Sequence, residues 1–259
     1  MPLPRLHLFE LEDLSWFPSI IRDLATDYLH FMEMRFQLHE PVVPLLKRAL
    51  EESRANVVVD LCSGAGGPVV ALSEALRTAG LPVQFKLTDK YPNLSAFSSL
   101  SANHPAISYA AESVNAAQVP PELTGFRAIF NAFHHFDPAA ARAVLQSAID
   151  ARQPIGIFEI PERTLATMIP LLFTPLFVWI ATPAIRPFRW SRLLWTYLIP
   201  LVPLTCWWDG IVSQWRAYTV DELLQLTAAL NGYKWEAGSV PIGSTPGNLT
   251  YLLGIPLVS

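Results

Sequence analysis

Asn56-Val57-Val58-Val59-Asp60-Leu61-Cys62-Ser63-Gly64-Ala65-Gly66-Gly67 decides how this chain is read. The valine run is β-branched and unbroken by polar residues, the pattern of a strand buried on both faces. The glycines end it, and residues 68–79 then read as a helix. Pro68 stands near its start and Gly80 just past its end, where each residue type is favoured. Strand, glycine turn and helix in that order open a parallel α/β sheet.

The same alternation continues downstream. Residues 83–88 read as a strand, 92–103 as a helix, 106–110 and 126–131 as strands, 138–151 as a helix with Asp137 as N-cap, and 154–160 as a fifth strand. Residues 220–231 form a helix closed by Gly232. Residues 233–242 and 249–256 are two final strands, whose short connection at 243–248 demands antiparallel pairing. Upstream, Ile20, Ile21, Leu24, Tyr28, Phe31, Met32 and Phe36 repeat at helical spacing over residues 19–38, with Pro18 in the first turn and Pro41 beyond the end. A short helix is expected over 42–51.

The expected fold is α/β: a Rossmann-like, seven-stranded, mostly parallel sheet with an antiparallel final strand, an N-terminal helical cap, and an apolar helical insert between strand 5 and the last helix. Residues 1–259 read as one domain. The cap covers 1–53, the core 54–160, the insert 161–217, and the closing helix and strand pair 218–259.

Composition narrows the function. Charged residues are only 15% of the chain against 51% hydrophobic, and the net charge is −4. No basic excess is present to hold a phosphate backbone, so a nucleic-acid partner is not expected. Cys62 and Cys206 lack metal-ligand or disulfide spacing and fit a reducing cytoplasm. The first residues lack the apolar core of a secretory signal.

An open α/β sheet binds its ligand at the carboxyl ends of its strands, where this chain concentrates its polar residues. Gly64, Gly66 and Gly67 let backbone approach a ligand at a helix N-terminus, which favours a carboxylate. Asp60 can take an ammonium. Asp89, with Lys90 beside it, ends the second strand, where a carboxylate can accept both hydroxyls of a ribose. Glu112 and Ser113 follow the third strand and suit the exocyclic amine of an adenine. Asn131 and Ala132 close the fourth.

These motifs together resemble the class I S-adenosylmethionine (SAM)-dependent methyltransferases. The resemblance spans roughly residues 56–160. It implies that the glycines hold the amino-acid part of SAM, Asp89 its ribose and Glu112-Ser113 its adenine, with S-adenosylhomocysteine as product. Ala111 stands where glycine is common in the family. The implied reaction is methylation of a small hydrophobic or aromatic acceptor, with a phenol or hydroxyl oxygen favoured.

His134 and His135, past the fourth strand, are candidate bases, and Glu159, at the end of the fifth, a candidate catalytic acid or base. An ion pair such as Glu159 with Arg163 is the structural alternative. Tyr28, His134 and Trp179 are candidates to line the acceptor site, although core packing also explains Tyr28. No metal site is expected, because adjacent histidines in a strand point apart. Asp209-Gly210 reads as a turn and Arg216 as an ion-pair partner.

The insert is the least ordinary part. Residues 165–185 and 193–208 carry no charge, and Arg186, Arg189 and Arg192 lie between them. The first limb is long enough for a membrane span, but Pro170, Pro175 and Pro183 would break it, as Pro200 and Pro203 would the second. Two readings stand: a lid or dimer surface, or a face of 165–208 that dips into a bilayer interface. The expected location is cytoplasmic, with a peripheral position on the inner face of the membrane under the second reading.

Overall fold

The computed structural model describes residues 3–243 and 245–257. Along the chain run α1 (Ser19–Phe36), α2 (Val42–Ser53), β1 (Val57–Leu61), α3 (Val69–Thr78), β2 (Gln84–Thr88), α4 (Leu94–Asn103), β3 (Ile107–Tyr109), β4 (Phe126–Phe130), α5 (Pro138–Asp150) and β5 (Ile155–Glu159). Then follow α6 (Leu165–Leu171), α7 (Thr174–Ala181), α8 (Trp190–Leu193), α9 (Leu201–Arg216), α10 (Val220–Thr227), β6 (Tyr233–Pro241) and β7 (Asn248–Pro256).

The sheet has the order β3-β2-β1-β4-β5-β7-β6. Strands β1 to β5 pair in parallel, and β7 runs antiparallel to both β5 and β6. This is the expected seven-stranded sheet. Its central strands are apolar because helices cover both faces: every residue of β4 and β5 is buried. From β1 the chain moves outward to β3, then returns to β4 on β1's other side. The loops after β1 and β4 therefore diverge at the point where strand order reverses, which is where such sheets bind ligands.

The chain divides into two compact units. One comprises His39–Ile160 and Tyr218–Ser259, the other the stretch up to Leu38 with Pro161–Ala217. In the sheet unit, Val59, Leu61, Ile129, Phe133, Ile157 and Leu252 belong to one buried cluster. In the insert unit, Ile21, Leu24 and Tyr28 of α1 share a cluster with Val178, Val202 and Cys206. Helices α1 and α2, read from sequence as one cap, thus fall in different units.

The prolines divide the insert in part as expected, although Pro203 does not break the second limb but sits in the first turn of α9. Pro170 lies near the end of α6, Pro175 in the first turn of α7, and Pro200 at the N-cap of α9. No single described helix is long and apolar enough to cross a membrane; α6 and the stretch Thr174–Ala184 reach that length only together, bent by 54°. Asp209-Gly210, by contrast, is not a turn. It lies inside α9, where the buried Asp209 carboxylate accepts from the backbone N–H of Leu11 (2.7 Å) and Glu12 (3.2 Å). The capping of loop donors outweighs the turn tendency of an Asp-Gly pair. Arg216 does form ion pairs, with Asp13 at 2.8 Å and Glu10 at 3.2 Å.

Candidate functional site

The loop after β1 is built on left-handed backbone. Cys62, Gly64, Gly66 and Gly67 all have positive φ, and Gly66 N–H donates to the Ser63 carbonyl at 2.7 Å. Gly66 cannot be replaced without cost. Its φ is +101°, and a Cβ there would lie 2.2 Å from Leu100 Cδ1 on α4. At Gly64 an added Cβ would meet nothing within 4 Å, so the loop backbone borders open space on that side.

Asp60 is buried beneath this loop. Burial pushes its carboxyl up to about 8, with a contribution from the nearby Asp89 charge and an opposing one from a Ser63 hydrogen bond. Ser63 and Thr88 both donate their hydroxyls to the Asp60 carbonyl at 2.9 Å, and Thr88 N–H donates to Ser63 Oγ at 3.1 Å. Sequence reasoning passed over this pair. The signal was a hydroxyl residue at each strand end, Ser63 after β1 and Thr88 at the end of β2.

Asp89 joins three loops. Its Oδ2 accepts from Gly64 N–H at 2.9 Å, its Oδ1 from Tyr91 N–H at 2.7 Å, and its carbonyl from Val114 N–H at 2.8 Å. Each carboxylate oxygen keeps acceptor capacity after one such bond. Ser113 Oγ donates to the Lys90 carbonyl at 2.7 Å, tying the segment after β3 to the segment after β2. The Lys90 ammonium lies 5.5 Å from the centre of the Tyr91 ring, and Glu112 is exposed. Asp60, Gly64, Gly66, Gly67, Asp89, Lys90 and Ser113 are therefore gathered on neighbouring strand ends of one unit.

On the other side of β1, Asn131 takes a left-handed φ of 51°. Its N–H donates to the Phe158 carbonyl and its Oδ1 accepts from Ile160 N–H, both at 2.9 Å. Ala132 follows and caps a 3-10 turn over Phe133–His135. The histidines are thus in a turn, not a strand. Their rings do not point apart but pack with centroids 4.4 Å apart. The premise that adjacent side chains diverge fails here because the strand ends at Phe130.

Glu159 holds that turn. Its Oε1 accepts from Phe133 N–H at 2.8 Å, and its Oε2 from His134 N–H at 3.3 Å and from His134 Nδ1 at 2.6 Å. Both groups are buried. Glu159 thus fixes the orientation of the His134 ring through Nδ1. Tyr28 and Trp179 belong to the other unit. Tyr28 is in its core, where burial raises the phenol above its ordinary range. Trp179 is half exposed and donates its indole N–H to the Thr196 carbonyl at 3.0 Å.

No family model matches the sequence, and a search of curated proteins finds no match. Solved structures do share the fold. The methyltransferase domain of bacterial CtHen1-CN superposes with a TM-score of 0.50 at 13% identity, over 84% of this chain and 99% of that one. A Rhodobacter sphaeroides structure named for Zn-dependent alcohol dehydrogenases gives 0.50 at 12%, over 91% and 98%. Magnesium protoporphyrin IX methyltransferase from Synechocystis, solved with bound S-adenosylhomocysteine, gives 0.49 at 12%, over 85% and 84%. Against some matched structures the chain spans about half their length, as with the 46% of the citrinin polyketide synthase CMeT domain. Identities this low speak of fold alone, and the differing names within one fold show that the activity has to be argued from the site. The fold is that of the class I SAM-dependent methyltransferases.

Proposed function

We propose that this chain binds SAM at the ends of β1, β2 and β3 and transfers its methyl group to a small hydrophobic acceptor, an oxygen of a phenol or hydroxyl being favoured. The observation that carries the reading is Asp89, whose carboxylate sits on the glycine loop through Gly64 N–H and retains acceptor capacity for a ribose. Asp60 fits the same ligand. A buried carboxyl pushed up to about 8 calls for a cation, and the ammonium of an amino-acid tail supplies one. The glycine loop offers open backbone for the carboxylate of that tail, and Glu112-Ser113 reads adenine.

Bound SAM supplies a methyl group on a sulfonium sulfur. The transfer breaks the carbon–sulfur bond and forms a carbon–oxygen bond in line, so alignment carries much of the acceleration. The acceptor hydroxyl loses its proton during the step. A histidine of the His134-His135 turn takes it, and Glu159 is a positioning residue that fixes the turn and the His134 ring. The test is methyl transfer from radiolabelled SAM to a panel of phenols and lipid extracts. Labelled product that disappears in Asp89→Ala supports the reading; no product from any acceptor contradicts it.

A further inference from the structure

We propose that the insert unit docks, through an apolar face of α6 and α7 and the arginine-rich loop after α7, on the interfacial layer of an anionic lipid bilayer. Helix α6 buries none of its residues. Leu165 and Ile169 on α6, Leu172 and Phe173 in the break after it, and Leu176 and Ile180 on α7 are all exposed. Ile180 is 68% exposed and Leu165 67%. A run of exposed apolar side chains of this kind marks an interaction site rather than scattered surface residues.

The charge pattern selects the occupant. From residue 163 to 208 the charged side chains are Arg163, Arg186, Arg189 and Arg192, with no acid among them. Arg192 is buried and spent on structure. It pairs with Asp27 at 2.5 Å and donates to the carbonyls of Ile185 and Pro187. Arg189 also reaches Asp27, at 3.2 Å, while its side chain stays partly exposed; Arg186, Phe188 and Trp190 lie on the outside of the loop. Trp190 is 78% exposed, and its ring stands edge-on to Phe188 at 5.1 Å. Indole and guanidinium together suit the boundary between acyl chains and anionic headgroups, the first for its amphipathic ring, the second for its charge. A two-fold interface with a second copy would instead bring this arginine loop towards its own image, with Asp27, the acid beside it, already paired to Arg189 and Arg192.

The geometry favours lying in the interface over crossing it. Helix α6 is about 10 Å long and α7 about 12 Å, at 1.5 Å per residue, against a hydrocarbon core of roughly 30 Å. The bend of 54° between α6 and the stretch Thr174–Ala184 keeps them from adding into one straight rod.

The full-length chain is floated on a density gradient with phosphatidylcholine vesicles and with vesicles that also contain phosphatidylglycerol. We expect it to rise with the anionic vesicles, less with the neutral ones, and less again at high salt. Ile180→Glu and Trp190→Ser should each cut the floated fraction by about tenfold with circular dichroism unchanged. Both side chains are exposed, so a variant that misfolds is replaced by Leu165→Glu. Protein that stays at the bottom with both vesicle types overturns the proposal. So does a lipid-free dimer in sedimentation that Ile180→Glu dissociates, since the face then belongs to a second copy. Neither result bears on SAM binding, which is measured separately in the sheet unit.

Discussion

Two buried carboxyl side chains, Asp60 and Glu159, each make a distinct prediction. Asp60 holds its proton up to about pH 8, against 3.8 for an ordinary aspartate. Between those values the unfolded chain is ionised while the folded one keeps the proton, so this group's stabilising contribution falls as pH rises through the window. Asp60→Asn should therefore raise the Tm of the ligand-free protein at pH 8 while weakening SAM binding. A lower Tm at that pH would contradict the buried, uncompensated carboxyl. Glu159→Gln should leave SAM affinity within a few-fold and lower turnover by about 10²-fold, the lower end for a general base. A positioning role also requires the pH–rate profile to shift, and an unchanged profile would rule it out. The parts legible from sequence were those fixed by local rules: glycines at a strand end, an acid after β2, an amide after β4. The Glu159 link was not legible. It needs β4 and β5 to end level with each other, as the Phe130 and Phe158 pairing brings about, and no spacing in the chain states that.

At the scale of elements, sequence periodicity placed the sheet well because β1, β4 and β5 are short apolar runs bounded by glycine, proline or asparagine. Helix α10 shows why. Its capping box is complete: Thr219 Oγ1 accepts from Glu222 N–H at 3.3 Å, and Glu222 Oε2 accepts from Thr219 N–H at 2.8 Å. Thr219→Ala should cost about 1 kcal/mol in denaturant unfolding; no measurable change would show that the box is redundant. The 3-10 turn at Phe133–His135 was missed: the sequence reading ended the fourth strand at residue 131 but gave the histidines beyond it no element of their own. Its end is set by the left-handed Asn131 and by Asp137, whose side chain caps α5 by accepting from Ala140 N–H at 2.8 Å.

Across the whole molecule, the division into two units was hidden in the sequence. Helix α1 and the insert are far apart along the chain, yet Leu24 and Tyr28 share a core with Val178 and Cys206. Only tertiary packing reveals that an N-terminal helix and a late insert form one body. Separate cores predict a calorimetric unfolding enthalpy larger than the van't Hoff value, with SAM raising the transition of the sheet unit. A single two-state transition would contradict independent cores. The central claim, that the glycine loop and Asp89 form a SAM site, is tested most directly by isothermal titration calorimetry at pH 8. The account predicts saturable SAM binding by the wild-type chain and its loss in a folded Asp89→Ala; no binding by the wild type, or equal affinity in the variant, would contradict it.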